Sequence, residues 1–247
     1  MTLLVAMVEP PREGLLPGLA ETPLTDAELV ACYRAMAADL LRAGADSGGD
    51  LLVNYPTDDD LPAPYGGERS SEDAVRGIAA EALSTAELDD VRFEVQVGSD
   101  RAARVGNAVT HLLERGGESS VAVAEPVAPF LGRAALDSAA MKLRRRDVVL
   151  GPAADGRVHY AAFSEPIDFA GAYAVPEVET LAERGVEAGL DVDFLPPSVA
   201  VRTPADLRTL VTRVRARRRA GRTVPPHTAA FLDDAGLRVA ERDGEPV

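Results

Sequence analysis

Short apolar runs typical of buried strands alternate with segments of helical periodicity along this 247-residue chain. Continuous runs such as Leu51-Leu52-Val53 suit strands that are covered on both faces of a sheet. The predicted strands are Leu3–Val8, Leu51–Tyr55, Val91–Val97, Val121–Ala124, Asp147–Leu150, Val158–Phe163 and Asp191–Leu195. This alternation predicts a three-layer, Rossmann-like α/β fold with a mostly parallel sheet and helices on both faces.

The helical segments carry their own start signals. Thr25 is followed three residues later by Glu28, which is the pattern of a capping box. The apolar stripe behind it consists of Leu29, Tyr33, Met36, Leu40 and Leu41. The other predicted helices are Ser71–Ala82, Ala102–Arg115, Arg133–Arg145, Pro176–Ala188 and Pro204–Arg219. Too few residues separate Leu150 from Val158 for a helical crossover, so we expect a hairpin-like connection there.

The length suits one large α/β domain. We assign residues 1–222 to this domain and residues 223–247 to a C-terminal tail, with a short helix and then a terminal strand or a disordered end. The Pro- and Gly-rich stretch Tyr55–Arg69 is predicted to be a loop. Its Asp58-Asp59-Asp60 run is either a metal site or, as is commoner for adjacent carboxylates, simply solvated. The oligomeric state stays open.

The charge of the chain is strongly asymmetric. It carries 40 acidic and 26 basic residues, for a net charge of −14, and Lys142 is the only lysine. An acidic surface stays solvated at high salt, where its self-repulsion is screened, so we expect a halophilic source. The same charge argues against non-specific binding to nucleic acid or to anionic membranes.

Features of secreted, membrane and disulfide-bonded proteins are missing from the sequence. No apolar run approaches the roughly 18 residues that span a bilayer. The first apolar run, Leu3–Val8, has no basic segment before it and is too short for a signal peptide. We therefore expect a cytoplasmic protein. Cys32 is the only cysteine, which excludes an internal disulfide and a thiolate metal cluster.

Three segments in the right order carry a resemblance to a known family. They are the run Asp147–Gly156 (Asp-Val-Val-Leu-Gly-Pro-Ala-Ala-Asp-Gly), the stretch Gln96–Arg104 and the stretch Thr203–Leu207 (Thr-Pro-Ala-Asp-Leu). Together with the first helix they resemble a family of small glycosyltransferase-like proteins related to the 2-phospho-lactate guanylyltransferases. The resemblance implies the nucleotide-diphospho-sugar transferase (GT-A) fold and a nucleotide or nucleotide-sugar ligand.

The chain departs from this family where the family holds metal and phosphate. A GT-A site uses carboxylates to bind a divalent cation that neutralises the departing diphosphate. The family's acid after the fourth strand is Ala124 here, and the second acid of its Asp-x-Asp-Thr-Pro motif is Arg202. Glu125 follows Ala124, but strand alternation would point it to the other face. The family binds phosphate with a loop after the first strand, and the corresponding segment here retains only one cation, Arg12.

The resemblance leaves six ligand-binding candidates and no assigned catalytic or metal-binding residue. They are Asp155, Gly156, Gln96, Asp100, Arg104 and Arg12. Each of the better-matched pairs has a structural alternative. Asp155 and Gly156 could form an ordinary hairpin turn. Asp100 could cap the following helix and pair with Arg104.

Other local patterns favour no particular chemistry. His111, His159 and His227 lack the spacing of a zinc site, and no nucleophile elbow, dinucleotide fingerprint or Walker loop is present. Seven arginines fall within Arg208–Arg222. They either dock an anionic partner, such as a nucleotide or RNA, or pair with the acidic surface of the chain itself.

The sequence therefore predicts a divergent nucleotide-diphospho-sugar transferase-like protein that lacks metal-dependent transfer but still binds a ligand or partner. One alternative is an active glycosyltransferase or nucleotidyltransferase with a rebuilt site, using some of Glu125, Asp155 and Asp100. Mg²⁺ or Mn²⁺ would be needed only in that case. A second alternative is a non-catalytic interaction module that uses Arg208–Arg222.

Overall fold

A computed structural model describes residues 1–61, 69–242, 245 and 246. Residues 62–68 of the predicted loop and residues 243, 244 and 247 of the tail lie outside the described residues. The strands are β1 (Leu3–Met7), β2 (Leu51–Tyr55), β3 (Arg92–Val95), β4 (Val121–Ala124), β5 (Val148–Pro152), β6 (Val158–Phe163), β7 (Val192–Phe194), β8 (Glu241–Arg242) and β9 (Glu245–Pro246). The helices are α1 (Asp26–Asp46), α2 (Ser71–Ala82), α3 (Thr85–Asp89), α4 (Arg101–Glu114), α5 (Arg133–Leu143), α6 (Glu177–Glu187), α7 (Pro204–Arg219) and α8 (Pro226–Asp234).

Seven strands form one sheet in the order β3-β2-β1-β4-β6-β5-β7. All neighbours are parallel except β6, which runs antiparallel to both β4 and β5. The predicted α/β fold and the hairpin between β5 and β6 are therefore confirmed. The hairpin closes through a short 3₁₀ turn at Ala154–Gly156, and the register shifts between Gly151 and Pro152.

The sheet is buried on both faces, as continuous apolar strands require. In β1 the side chains alternate: Leu4 and Ala6 belong to one buried cluster, whereas Leu3 and Val5 belong to the other. The first cluster lies under α1, α2, α5, α7 and α8, and the second lies under α4 and α6. Among the described residues, none of the helices has the length and apolarity to span a bilayer.

Helix starts follow local sequence signals. Thr25 accepts a hydrogen bond from the Glu28 amide and Glu28 reciprocates, so the predicted capping box is present. Thr203 and Asp206 form a second box at the start of α7, where Pro204 takes the first helical position. Because such a box fixes the entry of the chain into the helix, it also fixes the residue before it, Arg202.

Several elements differ from the sequence-based expectation, among them helix α3 (Thr85–Asp89), which was not predicted. Strand β3 ends at Val95 rather than Val97, since the chain turns at Gly98, whose φ of +142° disfavours other residues.

Helix α8 corresponds to the short helix expected in the C-terminal tail, and it packs closely on α1. The buried Asp39 of α1 accepts hydrogen bonds from the amides of His227 (3.0 Å) and Thr228 (2.8 Å) at the start of α8.

Candidate functional site

A cleft of about 510 Å³ lies at the carboxyl ends of β1, β3 and β4. In open α/β sheets this edge is the usual position of a ligand. The charged residues that line the cleft are Glu9, Arg101, Arg104, Glu125, Arg157 and Arg202. Four arginines thus face two carboxylates in a chain with a net charge of −14. The local excess of positive charge makes the cleft suited to an anion.

Glu125 is at the centre of this cleft, and the expectation that it points away from the site was wrong. Strand β4 ends at Ala124, so the alternation of the strand no longer controls the next side chain. The carboxylate of Glu125 contacts both Arg101 and Arg202. Burial would raise its pKa, but the two guanidinium groups outweigh burial and hold the pKa of Glu125 below its usual value.

Arg101 is fixed between two carboxylates. It is the first residue of α4, and its Nη1 atom lies 2.6 Å from Oε1 of Glu177. The other oxygen of Glu177 accepts a hydrogen bond from the Val158 amide at 2.9 Å, and Glu177 is only 2% exposed. The guanidinium group also lies 4.4 Å from the centre of the Tyr173 ring. These contacts leave Arg101 little freedom to move within the cleft.

The backbone at Arg202 is fixed from both sides. Asp206 accepts hydrogen bonds from the amides of Arg202 (3.1 Å) and Thr203 (2.9 Å). The Val201 amide donates to the carbonyl of Val127 at 2.6 Å. A Cβ atom at Gly18 would lie 2.0 Å from the carbonyl oxygen of Arg202, so only glycine allows this approach. Segments after β1, after β4 and before α7 therefore meet at Arg202.

Arg104 and Arg157 provide the unbalanced charge of the cleft. Within the described ranges, neither forms an ion pair with a carboxylate, and Arg104 Nε donates to the carbonyl of Gly98 at 3.2 Å. Arg157 follows the turn at Ala154–Gly156, and its buried Nε has no hydrogen-bond partner among the described residues. Arg157 was not among the site residues predicted from the sequence, where the only indication is a cation directly after Asp155-Gly156.

Two of the six sequence candidates line the cleft. These are Gln96, whose Nε2 atom donates to the carbonyl of Asn54 at 2.9 Å, and Arg104. Arg12 lies beside the cleft, where its guanidinium group is 2.8 Å from Oε2 of Glu9. Arg101 and Glu177 were not predicted as site residues, because nothing in the local sequence of either one indicates that they meet.

The other three candidates do not line the cleft. Asp100 is exposed and caps α4 by accepting from the Ala103 amide at 2.9 Å, and Arg104 bonds Gly98 instead of pairing with it. Asp155 is exposed, and both Asp155 (φ +58°) and Gly156 (φ +68°) adopt the left-handed conformation of a tight turn. Asp100 and Asp155 are therefore not part of one carboxylate cluster with Glu125.

The residues of the cleft do not fit a divalent cation. Mg²⁺ and Mn²⁺ need several oxygen ligands at short distance. Glu9 is bound by Arg12, whereas Glu125 is bound by two arginines. Across the part of the chain that the structure describes, no group of three His, Cys, Asp or Glu side chains could hold a metal ion. In the Asp58–Asp60 loop, Asp58 instead accepts from the Ser71 amide at 2.7 Å.

The arginine-rich segment Arg208–Arg222 makes contacts within the chain. Arg217 Nε donates to the carbonyl of Thr223 at 2.8 Å, and Arg215 bonds the carbonyl of Leu237 at 2.5 Å. Arg218 pairs with Asp233 of α8. Arg213 lies 4.2 Å from the centre of the Phe130 ring. The contacts of Arg215, Arg217 and Arg218 hold the C-terminal segment on α7. Together with the Arg213 contact, they favour the structural interpretation of these four arginines.

Part of the chain matches a known sequence family. Residues 72–165 match the sequence model of the family described as "Uncharacterized protein conserved in bacteria (DUF2064)". This stretch extends from the start of α2 to just past β6, and it includes the cleft residues Gln96, Arg101, Arg104, Glu125 and Arg157. No protein of curated function matches the chain in sequence.

Two solved structures are similar over nearly the whole chain. A candidate nucleotide-diphospho-sugar transferase from Desulfovibrio desulfuricans is 21% identical, with 96% of each chain covered and a TM-score of 0.74. A cytidylyltransferase from Leptospira borgpetersenii is 13% identical, with 95% of this chain and 94% of that chain covered and a TM-score of 0.50. The chain therefore has the nucleotide-diphospho-sugar transferase (GT-A-like) fold, and its residues 72–165 are similar to the DUF2064 family.

Proposed function

We propose that the cleft binds a phosphorylated ligand of the nucleotide or nucleotide-sugar class, and that the chain does not carry out metal-dependent transfer. The observation that carries this proposal is the charge of the cleft, where four arginines face two carboxylates within a strongly acidic chain. Solved structures of similar fold include a candidate nucleotide-diphospho-sugar transferase and a cytidylyltransferase, which supports the ligand class.

Arginine is suited to this task for a geometric reason. Its planar guanidinium group offers two parallel N–H donors that match two oxygens of a phosphate. The unpaired Arg104 and Arg157 supply the net charge, and the buried Nε of Arg157 still lacks an acceptor within the described chain. A diphosphate carries charge and acceptors enough for both side chains. An uncharged nucleoside would leave these donors unused and should bind much more weakly.

The proposal against metal-dependent transfer rests on the state of the carboxylates. A metal-dependent transferase neutralises the departing diphosphate with a cation that carboxylates hold. Glu125 is the carboxylate best placed for that task, and both neighbouring arginines already contact it. A metal ion would have to displace these guanidinium groups from a site that already has a positive charge excess.

A thermal-shift screen tests the proposal. We expect UDP, GDP, CDP and their sugar conjugates to raise the melting temperature, since a ligand that binds only the native state stabilises it. The matching nucleosides should give no shift at the same concentration. The Arg157→Gln variant should lose the shift, whereas the control variant Arg133→Gln should keep it, because Arg133 is 67% exposed on α5 and does not line the cleft.

Two results would contradict the proposal. One is the absence of any shift with every phosphorylated compound in the wild-type protein. The other is turnover of a nucleotide sugar that depends on added Mn²⁺, measured as release of the free nucleoside diphosphate. The second result would support the alternative of an active transferase with a rebuilt site.

A further inference from the structure

We propose that the guanidinium group of Arg202 is a built-in replacement for a divalent cation in the cleft. It neutralises Glu125 and donates hydrogen bonds to the phosphate oxygens of the ligand, so that phosphate binding requires no metal ion. This inference rests on the proposed binding of a phosphorylated ligand, which it extends by naming how the phosphates are held.

Arg202 and Glu125 belong to two segments that meet in the cleft. The family resemblance of the sequence implies an acid at the position of Arg202 and another at Ala124, which precedes Glu125. In the structure these two segments touch: Arg202 contacts the carboxylate of Glu125, and Val201 bonds the backbone of Val127. Two acids at these positions would repel each other unless a cation lay between them. An arginine at one position removes the need for that cation, because the positive charge is now covalently attached.

The second step concerns charge. Arg101 is shared between Glu125 and the buried Glu177, so its single positive charge is opposed by two carboxylates. Arg202 supplies the second positive charge that makes this cluster of four side chains neutral. Without Arg202 this cluster would carry one uncompensated negative charge at Glu125, although Arg104 and Arg157 would keep the cleft positive as a whole. The charge of Arg202 therefore favours the approach of a phosphate to Glu125.

The third step concerns the remaining hydrogen-bond donors. Arg202 Nη2 is engaged by Glu125, but its buried Nε atom has no hydrogen-bond partner among the described residues. Buried donors are rarely left without an acceptor, and an unsatisfied one costs about 1–3 kcal/mol. A phosphate oxygen in the cleft would satisfy it. The backbone contacts at Gly18, Val127 and Asp206 keep the side chain anchored beside the cleft, which reduces the entropic cost of binding.

Titration calorimetry with inorganic pyrophosphate in the presence of EDTA tests the proposal. We expect the wild-type protein to bind pyrophosphate without metal and Arg202→Gln to bind it at least tenfold more weakly. Arg202→Lys, which keeps the charge, should retain more of the affinity than Arg202→Gln. Adding Glu125→Gln to Arg202→Gln should recover part of the lost affinity, since the unpaired carboxylate is then removed. The control variant Arg133→Gln should match the wild-type protein.

A second titration, with Mn²⁺ alone, gives the opposite readout. The wild-type protein should show no heat of Mn²⁺ binding at the cleft, whereas Arg202→Asp, which places a second carboxylate beside Glu125, should gain Mn²⁺ binding that Glu125→Gln abolishes. This gain of binding does not depend on which ligand the cleft takes, and it separates a direct electrostatic role from a loss of folding.

The outcomes separate this inference from the proposed function. Pyrophosphate binding in EDTA that depends on Arg202 supports the inference even if no nucleotide sugar binds. Nucleotide binding that requires Mn²⁺ in the wild-type protein keeps the proposed ligand class but overturns the inference. Failure of the wild-type protein to bind pyrophosphate in EDTA, or equal affinities of wild type and Arg202→Gln, also overturns it.

Discussion

Arg202 contacts Glu125 although 77 residues separate them in the sequence. The contact joins the end of β4 to the start of α7 across the cleft floor. Glu125 also contacts Arg101, which in turn contacts the buried Glu177. Each charge in this cluster of four side chains is opposed by the charge of its neighbour. The loss of any one member therefore leaves an uncompensated charge in a partly buried site.

The first prediction concerns Glu177. The Glu177→Gln variant should lower the free energy of unfolding by about 1–3 kcal/mol, because it weakens the contact with Arg101 and disturbs the acceptor of the Val158 amide. Urea unfolding would measure the loss. Glu179→Gln on the exposed side of the same helix is the matched control and should change stability by less than about 0.5 kcal/mol. Equal effects of the two variants would contradict the structural role of Glu177.

The second prediction concerns pH. His159 is 5% exposed, and burial lowers its pKa to about 4. In the unfolded chain its pKa is about 6.5. Between pH 4 and pH 6.5 the unfolded state binds more protons than the folded state. The free energy of unfolding therefore decreases as the pH falls through this range, by up to about 1.4 kcal/mol per pH unit.

The test compares pH profiles of unfolding. The His159→Gln variant removes this titration, so its stability should fall less steeply than that of the wild-type protein over this range. The exposed His111 provides the control variant His111→Gln, whose profile should follow the wild type. Parallel profiles for wild type and His159→Gln would show that His159 does not remain neutral in the folded protein.

The third prediction concerns the attachment of α8. Asp39→Ala removes the acceptor of the His227 and Thr228 amides and should cost about 1–3 kcal/mol. The midpoint of urea unfolding should move while its slope stays constant. Asp89→Ala, at an exposed position of α3, is the control. A cost for Asp39→Ala no larger than that of the control would mean that these two hydrogen bonds contribute nothing to stability.

The fourth prediction separates the two residues of the turn before Arg157. A Cβ atom at Gly156 would lie 3.0 Å from Pro176 Cβ, and the φ of Gly156 is +68°. Gly156→Val should therefore cost about 1–3 kcal/mol and weaken ligand binding by displacing Arg157. Asp155→Asn should preserve both, because Asn also tolerates the left-handed conformation and the Asp155 side chain does not line the cleft. Loss of the ligand-induced thermal shift in Asp155→Asn would instead assign Asp155 to the site.

The fold was predictable because its signals are local. Buried strands leave continuous apolar runs, as at Leu51–Tyr55, and the Thr25–Glu28 capping box marks a helix start within four residues. The extent of β4 was predicted correctly as well, but the alternation of the strand was extended one residue past its end, to Glu125. The direction of Glu125 is set instead by its contacts with Arg101 and Arg202, which the sequence does not reveal.

The site was only partly predictable because its contacts are not local. Gln96 and Arg104 were found through the family resemblance. Arg101 has no such signal, since its role comes from a buried glutamate 76 residues away. In the sequence, Arg202 was noted only because it replaces an acid of the family motif. Its contact with Glu125 became apparent only in the three-dimensional structure. Charge pairing between distant segments therefore limits what a single sequence can predict.

The most direct test of metal-free phosphate binding is a titration of the wild-type protein with UDP, GDP and CDP, performed once with EDTA and once with Mn²⁺. We expect at least one of these nucleotides to bind with a Kd that changes less than about threefold between the two conditions, because Arg202 already supplies the charge of a cation. A gain in affinity of tenfold or more on adding Mn²⁺, equivalent to about 1.4 kcal/mol, would contradict it.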